Sequence, residues 1–327
     1  MAEGNGVTGV ALLAMGGPAS LGEIRDYLRR LFEDPMLIRL PGGRLFRRPL
    51  AAFVSKRRAE RVAHRYEQIG GASPLLAETL RLRDLVVARL GAPVEIAMRY
   101  SRPTADEAVD ALCKAGVARV VAIPLYPQFS TSTSASSLAD FARAAAGRLE
   151  LTGVSDHFSH PGFVAGLASQ IQRAISTFKS LERTHVLYTA HSVPESLTEG
   201  GDPYISQVKS TIEAVARELY ERGVNLPSSL AFQSRVKFGR WHGPAVEDEV
   251  SDLHASGVRR LVVAPVSFVS ENLETKFDLD IELHEQLCDE GFVEVARSGT
   301  LSDSPEYADA LAALAHDAAE KSFGGWR

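Results

Sequence analysis

The chain has 327 residues, 45% hydrophobic and 24% charged, with 36 basic against 41 acidic side chains. This is the composition of an ordinary globular protein. The formal net charge of −5 argues against nucleic acid as the main partner, since phosphate binding normally needs a basic excess. Two cysteines exclude a disulfide framework and a four-thiolate iron–sulfur site. No stretch approaches the ~18 uninterrupted apolar residues of a membrane span, and no signal peptide is evident. We therefore expect a cytoplasmic protein, and the length suggests two domains.

Short apolar runs alternate with longer amphipathic stretches along the chain. The first half predicts strands at Val10–Met15, Pro93–Tyr100, Arg119–Tyr126 and Leu149–Val154, and helices at Leu75–Leu90 and Ala105–Ala115. The second half predicts strands at Val186–Ala190, Leu230–Ser234, Leu261–Ser267 and Phe292–Ala296, and helices at Tyr204–Arg222, Ala245–Ala255 and Glu306–Lys321. Strands that are apolar almost throughout are typical of parallel sheets covered on both faces. The sequence therefore predicts an α/β fold with two Rossmann-like lobes, each a parallel β-sheet flanked by helices.

One internal match favours a duplication. Ala115–Pro124 lines up with Ser256–Pro265 at a constant offset of 141 residues. In each segment a glycine ends a helix, a buried strand follows, and a proline ends the strand. Any strand–helix–strand unit can produce this pattern, so the match alone does not establish a duplication. We place the first lobe at residues 1–155, completed by the C-terminal helix at 305–327, and the second at 156–304. The active-site cleft is expected between the lobes.

Ligands of doubly wound folds bind beyond the carboxyl ends of the strands. Gly4-Asn-Gly-Val-Thr-Gly9 matches the dinucleotide pattern G-x-G-x-x-G, but it precedes the first strand and opens no helix, so we reject it as a site. Among nine histidines, His191 stands out because it directly follows the buried run Val186–Ala190. His185 lies at the opposite end of the same strand and is expected to be structural. His191 is therefore the strongest single candidate for chemistry.

A second feature is a series of carboxylates after the strand that ends near Ser267. Glu274, Asp278 and Glu282 recur every four residues, which places them in one stripe on a helix. A solvated helical face is the ordinary alternative. The functional interpretation is a path for cations or protons, with Glu274 opposite His191. An imidazole facing a carboxylate is a weak, exchangeable site for an ion such as Fe(II), or equally an acid–base pair.

Eight short motifs occur in order along the chain: Leu13–Pro18, Tyr66–Pro74, Met98–Tyr100, Tyr126–Thr133, Ala190–Pro194, Gly201–Tyr204, Gln233–Val236 and Pro265–Thr275. Because all eight motifs occur together and in this order, the chain resembles the ferrochelatase (protoheme ferro-lyase) family. Members insert ferrous iron into a porphyrin, with release of two protons, in heme biosynthesis. The resemblance implies a chelatase-type fold, a lyase activity, and Fe(II) and protoporphyrin IX as substrates.

The resemblance also assigns roles to individual residues. His191 and Glu274 match the family's paired active-site residues, as ligands for the incoming iron or acceptors for the pyrrole protons. Asp278 and Glu282 match an acidic relay for metal or protons. Porphyrin-binding positions are matched by Arg58, Tyr66 and Ser73, which supply donors for carboxylates, and by Met15, Arg99, Tyr126 and Trp241, which line the macrocycle. Trp241 has the alternative role of a core aromatic.

Three departures from the family pattern matter. Asn272 stands where many members carry a second histidine, which leaves Glu274 without a nearby imidazole. Thr131 stands at the position of one cluster cysteine of animal members, so we expect no [2Fe–2S] cluster and no tightly bound cofactor. Met15 stands where coproporphyrin-using members of Gram-positive bacteria resemble one another in carrying tyrosine, which favours protoporphyrin IX over coproporphyrin III.

Other functions and partners stay open at this point. The alternatives are a coproporphyrin III ferrochelatase, a non-catalytic porphyrin or heme carrier, and a sirohydrochlorin cobaltochelatase, although the last would present more histidines at its metal site. The stretch 37–61 mixes Leu, Phe and Arg. Its basic cluster of Lys56, Arg57 and Arg58 could therefore contact anionic lipid headgroups instead of, or as well as, a porphyrin carboxylate. We therefore expect peripheral membrane contact, and a transient contact with the preceding oxidase of the heme pathway.

Overall fold

The computed structural model describes residues 7–37, 43–234 and 239–326. Residues 4–6 of the glycine pattern, residues 38–42 of the apolar and basic stretch, and residues 235 and 236 of the motif that begins at Gln233 lie outside this range. The chain divides into two compact units, the first made of residues 1–157 and 308–327 and the second of residues 158–307.

The first unit contains a four-stranded parallel sheet in the order β2-β1-β3-β4. Its strands are β1 (Val7–Ala14), β2 (Val94–Met98), β3 (Val117–Pro124) and β4 (Glu150–Gly153). Its helices are α1 (Ile24–Glu33), α2 (Gly43–Gln68), α3 (Leu75–Leu90), α4 (Ala105–Lys114) and α5 (Ser136–Ala145), with a 3₁₀ turn at Leu21–Glu23 and a first π-helix at Thr131–Ala135.

The second unit contains a parallel sheet with the equivalent order β6-β5-β7-β8. Its strands are β5 (Thr184–His191), β6 (Ser228–Gln233), β7 (Arg260–Pro265) and β8 (Glu294–Arg297). Its helices are α6 (Pro161–Ile175), α7 (Glu195–Glu199), α8 (Tyr204–Glu221), α9 (Val246–Ala255) and α10 (His284–Glu290), with a second π-helix at Glu274–Leu283. Helix α11 (Pro305–Phe323) begins in this unit, and its residues from Ala308 onward belong to the first.

The apolar runs become strands because both faces of each sheet are covered. In β1 every residue from Thr8 to Ala14 is buried, and in β5 every residue from Thr184 to Ala190 is buried. In sequence, such strands are continuous apolar runs and do not show an alternation of apolar and polar residues. Both β1 and β5 pair with a strand on each side, so they are the central strands of their sheets. The predicted α/β class with two parallel sheets is confirmed.

Local signals explain where several helices begin and end. Helix α4 opens with a capping box, in which the Thr104 hydroxyl accepts from the Glu107 N–H and the Glu107 carboxylate accepts from the Thr104 N–H. Helix α3 ends at Gly91, which adopts φ of 59° in the left-handed region. Strong local signals of this kind set the predicted bounds of α3 and α4 to within one residue of those observed.

The two segments matched at the offset of 141 residues occupy equivalent places. They form β3 and β7, each of which lies between the central strand and the last strand of its sheet. Gly116 and Gly257 precede them with φ of 77° and 99°. Each strand is then followed by a π-helix, at Thr131–Ala135 and at Glu274–Leu283. This correspondence extends beyond a single strand–helix–strand unit and supports a duplication.

Candidate functional site

In the second unit, His191 is the last residue of the central strand β5. Its backbone is held from two sides. The His191 N–H donates to Ser267 Oγ at 3.2 Å, and the Tyr204 hydroxyl donates to the His191 carbonyl at 3.1 Å. The imidazole lies half-buried at the carboxyl end of the sheet, where the sequence placed it. None of these holding contacts uses the imidazole, so the ring is left available for chemistry.

The environment of His191 favours the neutral imidazole. Burial lowers its pKa below the usual value, and the nearby Glu274 carboxylate opposes that shift only in part. This electrostatic interaction places the Glu274 carboxylate near the His191 imidazole. A neutral imidazole has a lone pair that can accept a proton or bind a cation. The pair therefore has the chemistry of an acid–base couple or of a weak metal site.

The carboxylate stripe lies on the second π-helix, which spans Glu274–Leu283. The sequence analysis placed these residues on a helix without its type, and the i→i+5 bonding of a π-helix widens the turn. Residues four apart still fall within one turn of each other, so the stripe persists. Glu274 and Asp278 are half-buried and Glu282 is exposed. The series thus runs from the His191 pair toward solvent, as a path for ions or protons requires.

Apolar residues between the carboxylates explain why this helix packs where it does. Leu279, Leu283 and Leu287 pack against Val250 and Leu253 of α9 in the core of the second unit. Because one side of the segment is fixed in this core, its polar residues are held at the surface of the unit. The segment is therefore packed on its leucine side, while its carboxylates keep partial or full access to solvent.

Asn272, where many family members carry a histidine, has a structural role here. Its side-chain Oδ1 accepts from the Thr275 N–H at 2.9 Å, and its own N–H donates to Thr275 Oγ1 at 3.0 Å. The two residues therefore satisfy each other at the start of the π-helix, as a capping pair does. Asn272 holds the turn that presents Glu274 and supplies no group that titrates near neutral pH.

Gln233, which the sequence analysis named only as the start of a motif, lies beside His191 in the sheet. It ends β6, pairs with His191 in the sheet, and is 3% exposed. Neither its Oε1 nor its Nε2 has a hydrogen-bond partner among the described residues. A buried amide without partners is costly and needs an explanation. The available sequence signal was a glutamine closing the apolar run of β6.

We expect Gln233→Leu to raise the free energy of unfolding by about 1 kcal/mol, because it removes an unsatisfied amide. We also expect it to lower the iron insertion that the sequence resemblance implies, which is the behaviour of a polar group retained for function. Urea unfolding and an insertion assay on one preparation measure both. The control is Gln128→Leu, since Gln128 is 1% exposed but has an interaction partner; that variant should be less stable. A Gln233→Leu protein less stable than the parent would contradict the interpretation.

Trp241 lies in the second unit beside a shallow concavity of about 360 Å³. It forms an isolated antiparallel bridge with Pro194, and its side chain is half-buried. Arg240, next to it, pairs with Glu195 and Glu199. Trp241 therefore lines an open surface and is not a core aromatic.

In the first unit, Met15, Arg99 and Tyr126 follow the neighbouring strands β1, β2 and β3. The Tyr100 N–H donates to the Met15 carbonyl at 3.0 Å, which joins the first two loops. The Tyr126 hydroxyl lies 3.3 Å from Ser137 Oγ, and burial raises the tyrosine's pKa well above its usual value. The topology thus brings these three predicted residues to one edge of the sheet, as adjacent strand ends require.

Arg99 is tied to a buried carboxylate that the sequence analysis did not single out. Its guanidinium donates to Asp34 Oδ2 at 2.8 Å and to Ser136 Oγ at 2.9 Å. Tyr100 and Ser136 also donate to Asp34, at 2.8 and 2.6 Å. Burial alone would raise the pKa of Asp34, but these donors and the Met36 N–H outweigh it and hold the pKa below its usual value. The positive charge of Arg99 is therefore largely compensated.

Tyr66 and Ser73 converge on the loop that follows β1. The Ser73 N–H donates to the Pro18 carbonyl at 2.9 Å. A Cβ added to Gly17 would collide with the Ser73 side chain and lie 3.7 Å from the Tyr66 hydroxyl, so glycine is required for this close approach. Arg58 is exposed on α2, with its guanidinium 5.6 Å from the centre of the Phe32 ring. Tyr66 and Ser73 thus lie together beside the Met15 loop, and Arg58 lies two turns before Tyr66 on the same helix.

Within the described parts of the chain, no group of three or more His, Cys, Asp or Glu side chains is arranged to hold a metal ion. Two ligands, such as His191 and Glu274, suit an ion that is handed on and not one that is kept. Across the same described residues, no helix is long and apolar enough to cross a membrane.

Comparison with known proteins shows the family of this chain. The ferrochelatase family model matches residues 7–319. The ferrochelatase of Geotalea uraniireducens is 35% identical over 94% of this chain and 97% of its own, and that of Nostoc sp. is 37% identical over 97% and 83%.

Solved chelatases share the fold at low identity. The sirohydrochlorin chelatase SirB from Bacillus subtilis subspecies spizizenii, in complex with cobalt, has a TM-score of 0.57 at 12% identity, covering 98% of both chains. CbiX, the terminal enzyme of siroheme biosynthesis in denitrifying bacteria, has a TM-score of 0.50 at 18% identity, covering 93% of this chain and 98% of its own. The family-model match and the full-length relatives show that the chain belongs to the ferrochelatase family, the lyases of heme biosynthesis that insert iron into a porphyrin.

Proposed function

We propose that this ferrochelatase inserts Fe(II) into protoporphyrin IX, with His191 and Glu274 as its catalytic pair. The observation that supports the pair most directly is a half-buried imidazole, whose pKa is lowered by burial, near a carboxylate at the end of the central strand. Insertion forms four iron–nitrogen bonds and releases the two pyrrole N–H protons. A neutral imidazole and a carboxylate are the side chains that accept such protons or present the incoming ion.

The acidic relay completes the proposal on the protein side. Asp278 accepts a hydrogen bond from Ser234 Oγ at 3.2 Å, and Glu282 lies exposed at the end of the series. Because each carboxylate is within one helical turn of the next, a proton or cation moves by short steps between Glu274 and solvent. His191 and Glu274 take complementary roles, one in proton acceptance and the other in presenting iron.

Porphyrin binding is proposed for the remaining matched residues. Arg58, Tyr66 and Ser73 offer donors for the propionates. Met15, Tyr126 and Trp241 offer apolar and aromatic surface for the macrocycle. Arg99 is already paired with Asp34, so we propose that it contributes surface and not a free charge. A bent, saddled porphyrin exposes its nitrogen lone pairs, so a site that favours this shape favours the transition state.

The substrate preference rests on Met15. A thioether beside the apolar end of β1 suits an uncharged vinyl group better than the additional carboxylates of coproporphyrin III. We expect a higher kcat/KM for protoporphyrin IX than for coproporphyrin III. We also expect Met15→Tyr to bring the two kcat/KM values closer together. The assay is anaerobic Fe(II) incubation with each porphyrin, followed by loss of porphyrin fluorescence and growth of the heme spectrum. A preference of the parent protein for coproporphyrin III would overturn this assignment, and tight binding without multiple turnover would favour the carrier alternative.

We also propose that the enzyme works without a resident cofactor. Its two cysteines lie in different units, Cys113 half-buried on α4 and Cys288 exposed on α10. With Thr131 at the position of a cluster ligand in animal members, the chain supplies too few thiolates for a [2Fe–2S] cluster. Iron is then a substrate, delivered and released in each cycle.

Peripheral membrane contact is proposed for helix α2. Phe46 and Phe53, seven residues apart on one face, are 66% and 57% exposed. Exposed cations on the same helix include Arg57, whose guanidinium lies 5.0 Å from the centre of the Phe53 ring. Aromatic side chains among cations are typical of a surface that binds anionic headgroups.

We expect the protein to co-sediment with phosphatidylglycerol vesicles and not with phosphatidylcholine vesicles. Phe53→Ser should weaken that binding several-fold because it removes apolar area from the contact. The matched control is Tyr220→Ser, since Tyr220 is 67% exposed on α8 in the second unit, and it should bind as the parent does. An equal loss of vesicle binding in both variants, or a parent protein that does not bind anionic vesicles, would contradict the proposal.

A further inference from the structure

The second π-helix carries a second set of polar residues besides the carboxylate stripe. Arg297, the last residue of β8, reaches this set with a side chain that is 15% exposed. Its Nε and Nη2 both donate to the Asp280 carboxylate, and Nη2 donates to Glu271 Oε1 at 2.9 Å. Lys276 Nζ donates to Asp280 Oδ2 at 2.8 Å. Arg297 thus joins the strand to the helix and to the loop before it.

These contacts lie on both sides of Glu274 in the sequence. Glu271 precedes it by three residues, and Asp280 follows it by six. The Thr275 hydroxyl donates to Glu271 Oε2 at 2.6 Å, which ties the residue next to Glu274 to the same network. Glu274 itself takes no part in it. The backbone that carries Glu274 is therefore fixed on both sides by one half-buried guanidinium.

Only an arginine can form this arrangement. Its planar fork has donors on two edges, so it binds Asp280 through two nitrogens while one of them also reaches Glu271. A lysine has a single ammonium and reaches one carboxylate at a time. Loss of the guanidinium leaves two half-buried carboxylates without their main partner, and their repulsion would displace the turn between them.

We propose that Arg297 is a positioning residue for iron insertion, which holds Glu274 at the distance from His191 that the reaction requires. This inference rests on the proposed role of Glu274. A displacement of about 1 Å of a reacting group costs on the order of 100-fold in rate, whereas binding of the rest of a substrate is little affected. The effect should therefore appear in kcat and not in the KM for porphyrin.

The test compares Arg297→Met and Arg297→Lys with the matched control Arg260→Met. Arg260 joins β7 to β8 through Glu294, and both side chains are 19% exposed. That ion pair lies at the opposite end of the same strand, away from the π-helix. We expect Arg297→Met to lower kcat for iron insertion about 10- to 100-fold, with porphyrin KM nearly unchanged. The kcat of Arg297→Lys should lie between the values of Arg297→Met and the parent. Arg260→Met should keep the parental kcat although its Tm falls by a similar amount.

Three results would overturn the proposal: parental kcat in folded Arg297→Lys and Arg297→Met, an equal kcat loss in Arg260→Met, or a change confined to porphyrin KM. Glu274→Gln separates this proposal from the one on which it rests. If Glu274→Gln turns over normally, the catalytic role of Glu274 is wrong. If Glu274→Gln is inactive while both Arg297 variants match the parent, the role of Glu274 stands and positioning by Arg297 is wrong.

Discussion

Replacement of His191 by alanine is expected to abolish iron insertion and to leave the protein folded. The contacts that fix this residue use its backbone, through Ser267 and Tyr204, and these survive the substitution. The imidazole is the group lost. Removal of a general base alone costs about 10²- to 10⁴-fold, and loss of the iron-presenting group would add to that. Anaerobic assay with Fe(II) and protoporphyrin IX measures turnover, and porphyrin fluorescence on binding shows whether the substrate still binds.

His185 provides the control in the same strand. It lies at the amino end of β5, is 7% exposed, and its Nε2 is 2.9 Å from Ser229 Oγ. His185→Asn should lower stability but keep the parental kcat, because that end of the sheet is away from the predicted chemistry. Normal turnover in a folded His191→Ala protein would refute the catalytic role. Equal loss of turnover in both variants would point to a general effect of disturbing β5.

Replacement of Asp34 by alanine is expected to cost about 3–5 kcal/mol of unfolding free energy, since it leaves the partly buried Arg99 without its carboxylate. The pKa of Asp34 is lowered in the folded protein. Its contribution is therefore fully present above the unfolded pKa of about 3.9 and is lost as the pH falls through the lower folded pKa. The stability difference between the parent and Asp34→Ala should accordingly be constant near neutral pH and shrink below about pH 4.

Urea unfolding between pH 3 and pH 7 measures this difference. Asp106 is the matched control, because its pair with Arg143 is 57–59% exposed and exposed pairs contribute about 0–1 kcal/mol. Asp106→Ala should lower the free energy of unfolding only slightly at any pH in this range. A difference for Asp34→Ala that stays constant down to pH 3 would show that its carboxylate does not titrate in this way.

The sequence determined the elements whose signals are local. Apolar runs predicted all eight strands of the described residues. The signal is strongest in the central strands β1 and β5, because burial on both faces leaves no alternation of polar and apolar residues there. Gly91 and Thr104 set helix ends through φ and capping, which are properties of a few adjacent residues. The places of His191 and Glu274 in the fold were predictable because His191 ends β5 and Glu274 comes after β7, and parallel strands direct their carboxyl ends to one edge. The glycine pattern at residues 4–9 was rejected by the same positional argument.

Only the tertiary structure decided the features that depend on distant partners. Periodicity of four residues predicts a helix but does not separate i→i+4 from i→i+5 bonding, so the π-helix at Glu274–Leu283 was not predicted. Helix α2 was missed because its face is largely basic and carries a proline at position 49. Asp34 and Arg99 form an ion pair although they are 65 residues apart in the sequence, and Arg297 and Asp280 do so at a separation of 17 residues. No local pattern signals such pairs, because the partners are distant in the sequence and only the folded chain brings them close enough for their attraction to offset the cost of burying their charges.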